Sequence, residues 1–125
     1  MLFDTDVLIW TQRGNLNAAA MIDTAQLRYI SVQTLMELLQ CAKVKAQHRL
    51  IKRFLADMNF TVLPLTHDIG HRALVYVEAH ALASGMRAGD ALIAATAVEN
   101  ELPLATANAK HFKAVSGLDL RVLRV

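Results

Sequence analysis

The sequence has few of the features that mark secreted or membrane proteins. Its one cysteine, Cys41, cannot form a disulfide within the chain, which is typical of a protein kept in a reducing cytoplasm. Its longest apolar stretch, GDALIAATAV, contains Asp90 and is far shorter than the roughly 20 residues of a membrane-spanning helix. No basic flank followed by an apolar core and a cleavage site begins the chain. We therefore predict a cytoplasmic protein with no membrane partner.

The sequence also lacks linkers, repeats, low-complexity segments and a large charge excess. Its only prolines are Pro64 and Pro103. Thirteen Lys and Arg against eleven Asp and Glu give a net charge of +2, which is too small to indicate nucleic-acid binding, so any basic patch must be local. With 125 residues, 54% of them hydrophobic, the chain is predicted to form a single domain, residues 1–125. A domain of this size buries roughly two thirds of its unfolded surface.

Short β-like runs alternate with longer helical patterns. The runs are Met1 to Phe3, Leu27 to Ile30, Phe60 to Leu63, Leu104 to Ala105 and Leu120 to Leu123. Such an alternation is typical of a parallel α/β sheet.

Three helices have readable ends. Ser31 is predicted to cap a helix that runs to about Ala42, and Thr66 one that runs to about Ser84 with Gly85 beyond it. A third helix begins at Gly89 or Asp90 and ends before Pro103.

Two aspartates interrupt the opening run, MLFDTDVLIW, which otherwise reads as the start of a buried strand. An unpaired buried carboxylate costs about 3 kcal/mol or more, so Asp4 or Asp6 needs a compensating cation or a place where the strand ends. In open α/β sheets ligands bind beyond the carboxyl ends of the strands. Because Asp4 follows the first predicted strand directly, we expect it to point into that crevice.

Two further acids lie on predicted helices. Asp90 heads a stripe of small apolar residues, which suits a functional carboxylate and suits a simple helix cap equally well. Glu37 lies opposite the apolar stripe of its helix, where a solvated residue is the ordinary interpretation. Spacing alone does not decide between these alternatives.

Four fragments, LFDTDVLIW, TLMELLQC, RAGDALIAATA and LATANAKHF, occur in this order and are followed by SGLDLRVL. Together they resemble the PIN-domain family, and specifically the VapC-type ribonuclease toxins of prokaryotic toxin–antitoxin systems. The resemblance covers nearly the whole chain and implies a three-layer α/β/α domain with a short, mainly parallel central sheet. It also implies a homodimer that cleaves single-stranded or looped RNA with Mg²⁺ or Mn²⁺ and is neutralised by a cognate antitoxin protein.

The resemblance also implies site residues. The first aspartate of the family falls on Asp4, the helical glutamate on Glu37 and the third acid on Asp90, as metal ligands and catalytic residues. The fourth position falls on Asn108, whose amide oxygen can ligate a metal or orient a water but carries no charge. Asp6 stands where the family commonly has asparagine and is a candidate to restore that charge. Asn108 and Asp6 are therefore weaker or water-mediated candidate ligands.

One departure from the family and one motif lie beside these positions. Cys41 stands where the family often has glycine, one turn beyond the helical glutamate, and is expected to narrow the approach to the site. His111 follows the HF pattern of the family and is predicted to orient its loop.

The segment from Lys45 to Met58 predicts an amphipathic helix. Its apolar face is expected to carry Leu50, Ile51, Phe54, Leu55 and Met58. Its opposite face is expected to carry Lys45, His48, Arg49, Lys52 and Arg53. The candidate RNA-binding stripe on that face is Lys45, Arg49, Lys52 and Arg53. A solvated face and a contact with the antitoxin are the alternatives.

Other readings of the chain remain open. FDTDVL also resembles the DxD nucleophile motif of haloacid-dehalogenase-type phosphatases, but their acidic motif expects an aspartate where this chain has Ala94. A catalytically degenerate PIN module that binds RNA or a protein partner is the other alternative, because Asn108 weakens metal binding. His67 and His71 lie one helical turn apart without a third ligand, so we predict a surface pair rather than a zinc site.

Overall fold

The computed structural model describes residues 1–125 and contains one parallel sheet of five strands in the order β3-β2-β1-β4-β5. The strands are β1 (Leu2–Phe3), β2 (Arg28–Ser31), β3 (Phe60–Leu63), β4 (Leu104–Thr106) and β5 (Leu120–Val122). Each lies within one residue of its predicted bounds. The predicted parallel α/β sheet is confirmed.

Seven helices connect and cover the strands. They are α1 (Thr5–Gln12), α2 (Leu16–Thr24), α3 (Val32–Cys41), α4 (Lys45–Asp57), α5 (His67–Ser84), α6 (Ala88–Glu99) and α7 (Ala109–Phe112). The predicted caps of α3 and α5 are confirmed, because the Ser31 and Thr66 side chains accept hydrogen bonds from backbone N–H groups of the first helical turns. Gly85 ends α5 with a φ of 74°, which glycine adopts without strain. None of the helices combines the length and apolar character that crossing a membrane requires.

The three-layer α/β/α arrangement follows from the alternation of side chains along the strands. Leu2 and Leu104 point to one face of the sheet and pack in a cluster with residues of α5, α6 and α7. Phe3 and Ala105 point to the other face and pack with residues of α1, α2, α3 and α4. Because both faces are covered, the strands at the centre of the sheet are fully buried.

The strand order creates a crevice at the carboxyl ends of the central strands. Strand β1 pairs with β2 on one side and with β4 on the other, so the chain leaves β1 and β4 in opposite directions across the sheet. Such a change of direction leaves a gap between the connections at the carboxyl ends of the two strands. Asp4 follows β1 and Asn108 follows β4, so both reach this gap.

The opening run belongs mostly to a helix. The strand ends at Phe3 because Asp4 caps α1, with its Oδ1 accepting a hydrogen bond of 2.8 Å from the Thr5 N–H. Val7 and Leu8, which resemble the continuation of a buried strand, are buried from α1 instead. Of the two places expected for these carboxylates, the end of the strand is the one that Asp4 takes.

Helix α4 is amphipathic as predicted, with two exceptions at the borders of its faces. Leu50 was assigned to the apolar face, but it is 65% exposed because it lies at the edge of the arc that Ile51 and Leu55 bury. His48 was assigned to the basic face, but it is half-buried, and its Nε2–H donates to the Leu39 carbonyl oxygen at 2.8 Å. The same carbonyl oxygen also accepts from the Ala42 N–H at 3.2 Å, so His48 adds a second hydrogen bond at the end of α3.

Candidate functional site

Asp4 lies at the bottom of the crevice and is only 6% exposed. Its backbone N–H donates to Ala105 at 2.8 Å and so extends the pairing of β1 with β4. Its Oδ2 accepts a hydrogen bond of 2.8 Å from the Thr106 hydroxyl. Burial, together with the negative charges of Asp6 and Asp90, raises the pKa of Asp4 from 3.8 to about 8, against the opposing effect of its hydrogen bonds.

Asp6 is the second acid of the crevice. Its Oδ2 accepts hydrogen bonds from the Ala107 N–H at 3.0 Å and from the Thr106 hydroxyl at 3.3 Å. Its Oδ1 is buried and has no hydrogen-bond partner. Burial raises the pKa of Asp6, and the charge of Asp90 adds to that effect. The Thr106 hydroxyl therefore lies between two carboxylates that repel each other.

Glu37 reaches the same region from α3. The Thr5 hydroxyl donates to Glu37 Oε1 at 2.6 Å and lies 3.0 Å from the buried Thr34 hydroxyl. Glu37 Oε2 lies over the first turn of α6, where a Cβ atom at Gly89 would come within 3.2 Å of it. The interpretation of Glu37 as a solvated residue is wrong. Its carboxylate is half-buried, accepts a hydrogen bond from the Thr5 hydroxyl and lies against Gly89 of α6.

Asp90 is the helix cap that one of the two alternatives predicts, and it also contacts His111. Its Oδ2 accepts from the Arg87 N–H at 3.0 Å, which is a cap of α6, and lies 2.9 Å from His111 Nδ1. Its side chain is 19% exposed. His111 therefore does more than orient a loop, since its ring contacts the Asp90 carboxylate. The Asn108 amide nitrogen lies 2.9 Å from the same His111 nitrogen.

These side chains meet at one place. Glu37, Asp90, Asn108 and His111 line a cavity of about 540 Å³ together with Gln33, Arg87, Ala88 and Gly89. The Thr106 hydroxyl joins Asp4 and Asp6, and the charge of Asp90 contributes to the raised pKa of both. Glu37 is joined to the Asp4 end of the crevice through Thr5. The structure thus brings together the acids that the sequence placed on separate elements.

The donor set suits a divalent cation that prefers oxygen ligands. No three His, Cys, Asp or Glu side chains surround a single point in ligating geometry. However, the buried Oδ1 of Asp6 has no partner, and burial, with the charges of Asp6 and Asp90, raises the pKa of Asp4. Carboxylate and amide oxygens are the ligands that Mg²⁺ takes in proteins. The residues of the crevice therefore fit Mg²⁺ or Mn²⁺.

Two threonines of the site were missed in the sequence. Thr5 holds Glu37, and Thr106 holds Asp4 and Asp6. A signal was present, because Thr106 is the last residue of β4 and Thr5 directly follows the end of β1. Polar residues at the carboxyl ends of adjacent parallel strands share one edge of the sheet.

Other predicted residues lie outside the acidic cavity. The stripe on α4 is exposed at Lys45, Arg49, Lys52 and Arg53, and none of these residues lines the cavity. Cys41 does not narrow the approach to the acids, since it lines an apolar groove between α1, α3 and α4. His67 and His71 are exposed, as expected for a surface pair.

The fold and the site define a small α/β/α domain whose parallel sheet presents clustered carboxylates at its strand ends. Residues 1–118 match the PIN domain, and the chain belongs to the PIN domain family. The members of this family are nucleases that generally depend on a divalent metal. This membership leaves the phosphatase alternative without support.

Solved structures with the same fold come from toxin–antitoxin complexes. A chain of a toxin–antitoxin complex from Klebsiella pneumoniae is 29% identical, with 94% of this chain and 93% of that chain covered and a TM-score of 0.79. A chain of VapBC2 from Rickettsia felis, bound to a promoter DNA fragment, is 20% identical, with 98% of both chains covered and a TM-score of 0.76. For DNA-bound VapBC from Salmonella typhimurium the identity is 22%, the covered shares are 97% and 96%, and the TM-score is 0.77. No curated protein matches the sequence.

Proposed function

We propose that this chain is a VapC-type toxin, a metal-dependent endoribonuclease that cleaves single-stranded or looped RNA and is neutralised by a cognate antitoxin. The observation that carries this proposal is that Asp4, at the end of β1, is joined through Thr5 to Glu37, which lines one cavity together with Asp90. Membership of a nuclease family and the shared fold with chains of toxin–antitoxin complexes support it.

Asp4, Glu37 and Asp90 are the proposed ligands of Mg²⁺ or Mn²⁺, with Asp6 and Asn108 as weaker or water-mediated ligands. When bound, the metal supplies Lewis-acid chemistry, activating a water and offsetting the negative charge that develops on the phosphoryl oxygens. The protein contributes acids that are already in place, because hydroxyl and backbone donors fix the side chains of Asp4, Glu37 and Asp90.

Glu37 is also placed to accept a proton as a general base. Its Oε1 is occupied by the Thr5 hydroxyl, whereas its Oε2 makes no hydrogen bond and borders the cavity. A carboxylate oxygen in this position can accept a proton from a water that approaches the phosphate. We therefore assign Glu37 a second role as general base.

The proposed antitoxin site is the apolar groove between α1, α3 and α4. The groove has a volume of about 410 Å³ and is lined by Gln12, Leu38, Cys41, Ala42, Gln47, Leu50, Ile51 and Phe54. The exposed Leu50 offers apolar surface to a partner helix or tail. A cation of the antitoxin that reached the acids would compete with the metal. We also propose that the toxin is a homodimer.

The first test is metal-dependent cleavage. Purified protein is expected to cut single-stranded RNA in the presence of Mg²⁺ or Mn²⁺, and an excess of chelator is expected to abolish the cutting. Mapping the cleaved ends on total cellular RNA would define the preferred sites. Undiminished cleavage in chelator would refute the proposed chemistry. RNA binding without any cleavage would instead favour the degenerate PIN module, in which Asn108 has weakened metal binding.

Variants of the basic stripe on α4 can show whether this surface binds RNA or the antitoxin. The double variant Arg49→Ala with Lys52→Ala is expected to bind RNA more weakly and to lower the slope of log affinity against log salt by about 1.4, or 0.7 for each lost phosphate contact. Cleavage of a saturating short substrate should stay nearly unchanged. The control Arg121→Ala with Arg124→Ala removes the same charge from the edge of the sheet. An unchanged salt slope combined with weaker antitoxin binding would assign the stripe to the antitoxin.

A further inference from the structure

Arg87 is the only lysine or arginine that lines the acidic cavity. It is exposed and directly precedes α6, the helix that carries Asp90. The cavity wall therefore presents one permanent positive charge beside Glu37 and Asp90. Nothing in the roles assigned so far to the metal ligands uses this charge.

The backbone of Arg87 is fixed by the site itself. Its N–H donates to Asp90 Oδ2 at 3.0 Å, and its carbonyl oxygen accepts from the Ala91 N–H at 3.0 Å. The base of the side chain thus has a defined place relative to a proposed metal ligand. A change at this residue that keeps the backbone N–H leaves the cap of Asp90 intact.

The guanidinium group of Arg87, by contrast, makes no ion pair and no hydrogen bond with the protein. The neighbouring carboxylates are held by other donors, since Thr5 binds Glu37 and His111 binds Asp90. A guanidinium with five N–H donors and no protein acceptor is available to an anion from outside.

A substrate with a phosphodiester backbone needs such a group here. The acids that suit a metal also repel phosphate, and a cation at the rim offsets part of that repulsion. The planar guanidinium matches two phosphate oxygens at once, which a lysine ammonium does not. Resting on the proposed function, we propose that Arg87 binds a backbone phosphate of the RNA at the mouth of the acidic cavity and so positions the strand over Asp90.

A plain counter-ion is the competing role for this arginine. In that case its charge would serve only to reduce repulsion among the carboxylates in the metal-free protein. The two roles differ in what removal of the side chain changes, because a phosphate ligand affects RNA affinity and a counter-ion affects metal affinity.

The experiment measures binding without turnover. Fluorescence anisotropy of a short labelled single-stranded RNA is recorded over a salt series in a Glu37→Gln background, where cleavage is slow. Adding Arg87→Ala is expected to weaken binding roughly ten- to a hundredfold and to lower the salt slope by about 0.7. Arg87→Lys should recover part of the affinity and the whole slope. Arg124→Ala, an exposed arginine at the end of the chain, is the charge-matched control and should change neither much.

The results of these measurements either support or overturn the phosphate contact proposed for Arg87. A loss of affinity with Arg87→Ala that Arg124→Ala does not reproduce supports the phosphate contact, as does a raised KM with little change in kcat in the otherwise unmodified enzyme. Unchanged RNA binding together with tighter Mn²⁺ binding in Arg87→Ala would show a counter-ion and overturn the inference. Failure of the unmodified protein to cleave any RNA would count against the proposed function, whereas the binding series would still report on Arg87.

Discussion

Replacing Asp90 with asparagine is expected to lower the rate of RNA cleavage by at least about a hundredfold, and Asp4→Asn is expected to do the same. Asparagine keeps the size of the side chain and an oxygen that can accept the hydrogen bonds of Arg87 or Thr5. It removes the negative charge that holds a divalent cation at the site. The measurement is single-turnover cleavage of a labelled RNA at saturating Mg²⁺.

The matched control for both variants is Asp23→Asn. Asp23 is exposed and its carboxylate makes no hydrogen bond, so the same chemical change should leave cleavage at the level of the unmodified protein. Circular dichroism and a thermal melt verify that each variant is folded. Cleavage at the original rate by either site variant would show that the cluster of acids is not the reaction centre.

The second large effect concerns the stability of the metal-free protein against pH. Burial and the neighbouring carboxylates raise the pKa of Asp4 from 3.8 to about 8. Between those values the folded state binds a proton that the unfolded state releases, so the free energy of unfolding falls as pH rises. The slope approaches 1.4 kcal/mol per pH unit for one proton. The contribution of Asp4 should therefore make the metal-free protein more stable near pH 4 to 5 than near pH 8.

Asp4→Asn should remove this dependence. Asparagine caps a helix as well as aspartate does and carries no charge to bury. At pH 8 in chelator the variant is expected to be more stable than the unmodified protein by about 2–4 kcal/mol, a rise in Tm of roughly 10 °C. Near pH 4 the two proteins should melt at similar temperatures. Asp23→Asn is again the control, and parallel melting curves for Asp4→Asn and the unmodified protein at all pH values would contradict the prediction.

Metal should reduce the stability advantage of Asp4→Asn. A divalent cation that binds only the folded, deprotonated site stabilises the unmodified protein more as pH rises. Adding Mn²⁺ at pH 8 is therefore expected to raise the Tm of the unmodified protein more than that of Asp4→Asn. The comparison reports on the site without any assay of cleavage.

The elements and the class of fold could be predicted from the sequence alone. Five short β-like runs separated by helical patterns predict a parallel sheet, because each signal is local: an apolar run, a cap such as Ser31 or Thr66, or a glycine that ends a helix. The place of Asp4 was also readable, since it follows the first strand directly. Glu37 and Asp90 came from the family resemblance, because their spacing in the chain is compatible with a solvated residue and a simple cap.

Which polar groups hydrogen-bond to the acids depends on how the elements pack in the tertiary structure. Thr5 and Thr106 are ordinary threonines in the sequence, and they become partners of Glu37 and Asp4 because the strand order places β1 beside β4 and α3 beside α1. The pKa of Asp4 likewise depends on burial and on Asp6 and Asp90, and Asp90 lies far away along the chain. The role proposed for Arg87 depends on packing in the same way, because only the cavity that it lines distinguishes it from the other exposed arginines. Local patterns specify elements, whereas electrostatics and hydrogen bonding act through space and depend on how those elements pack.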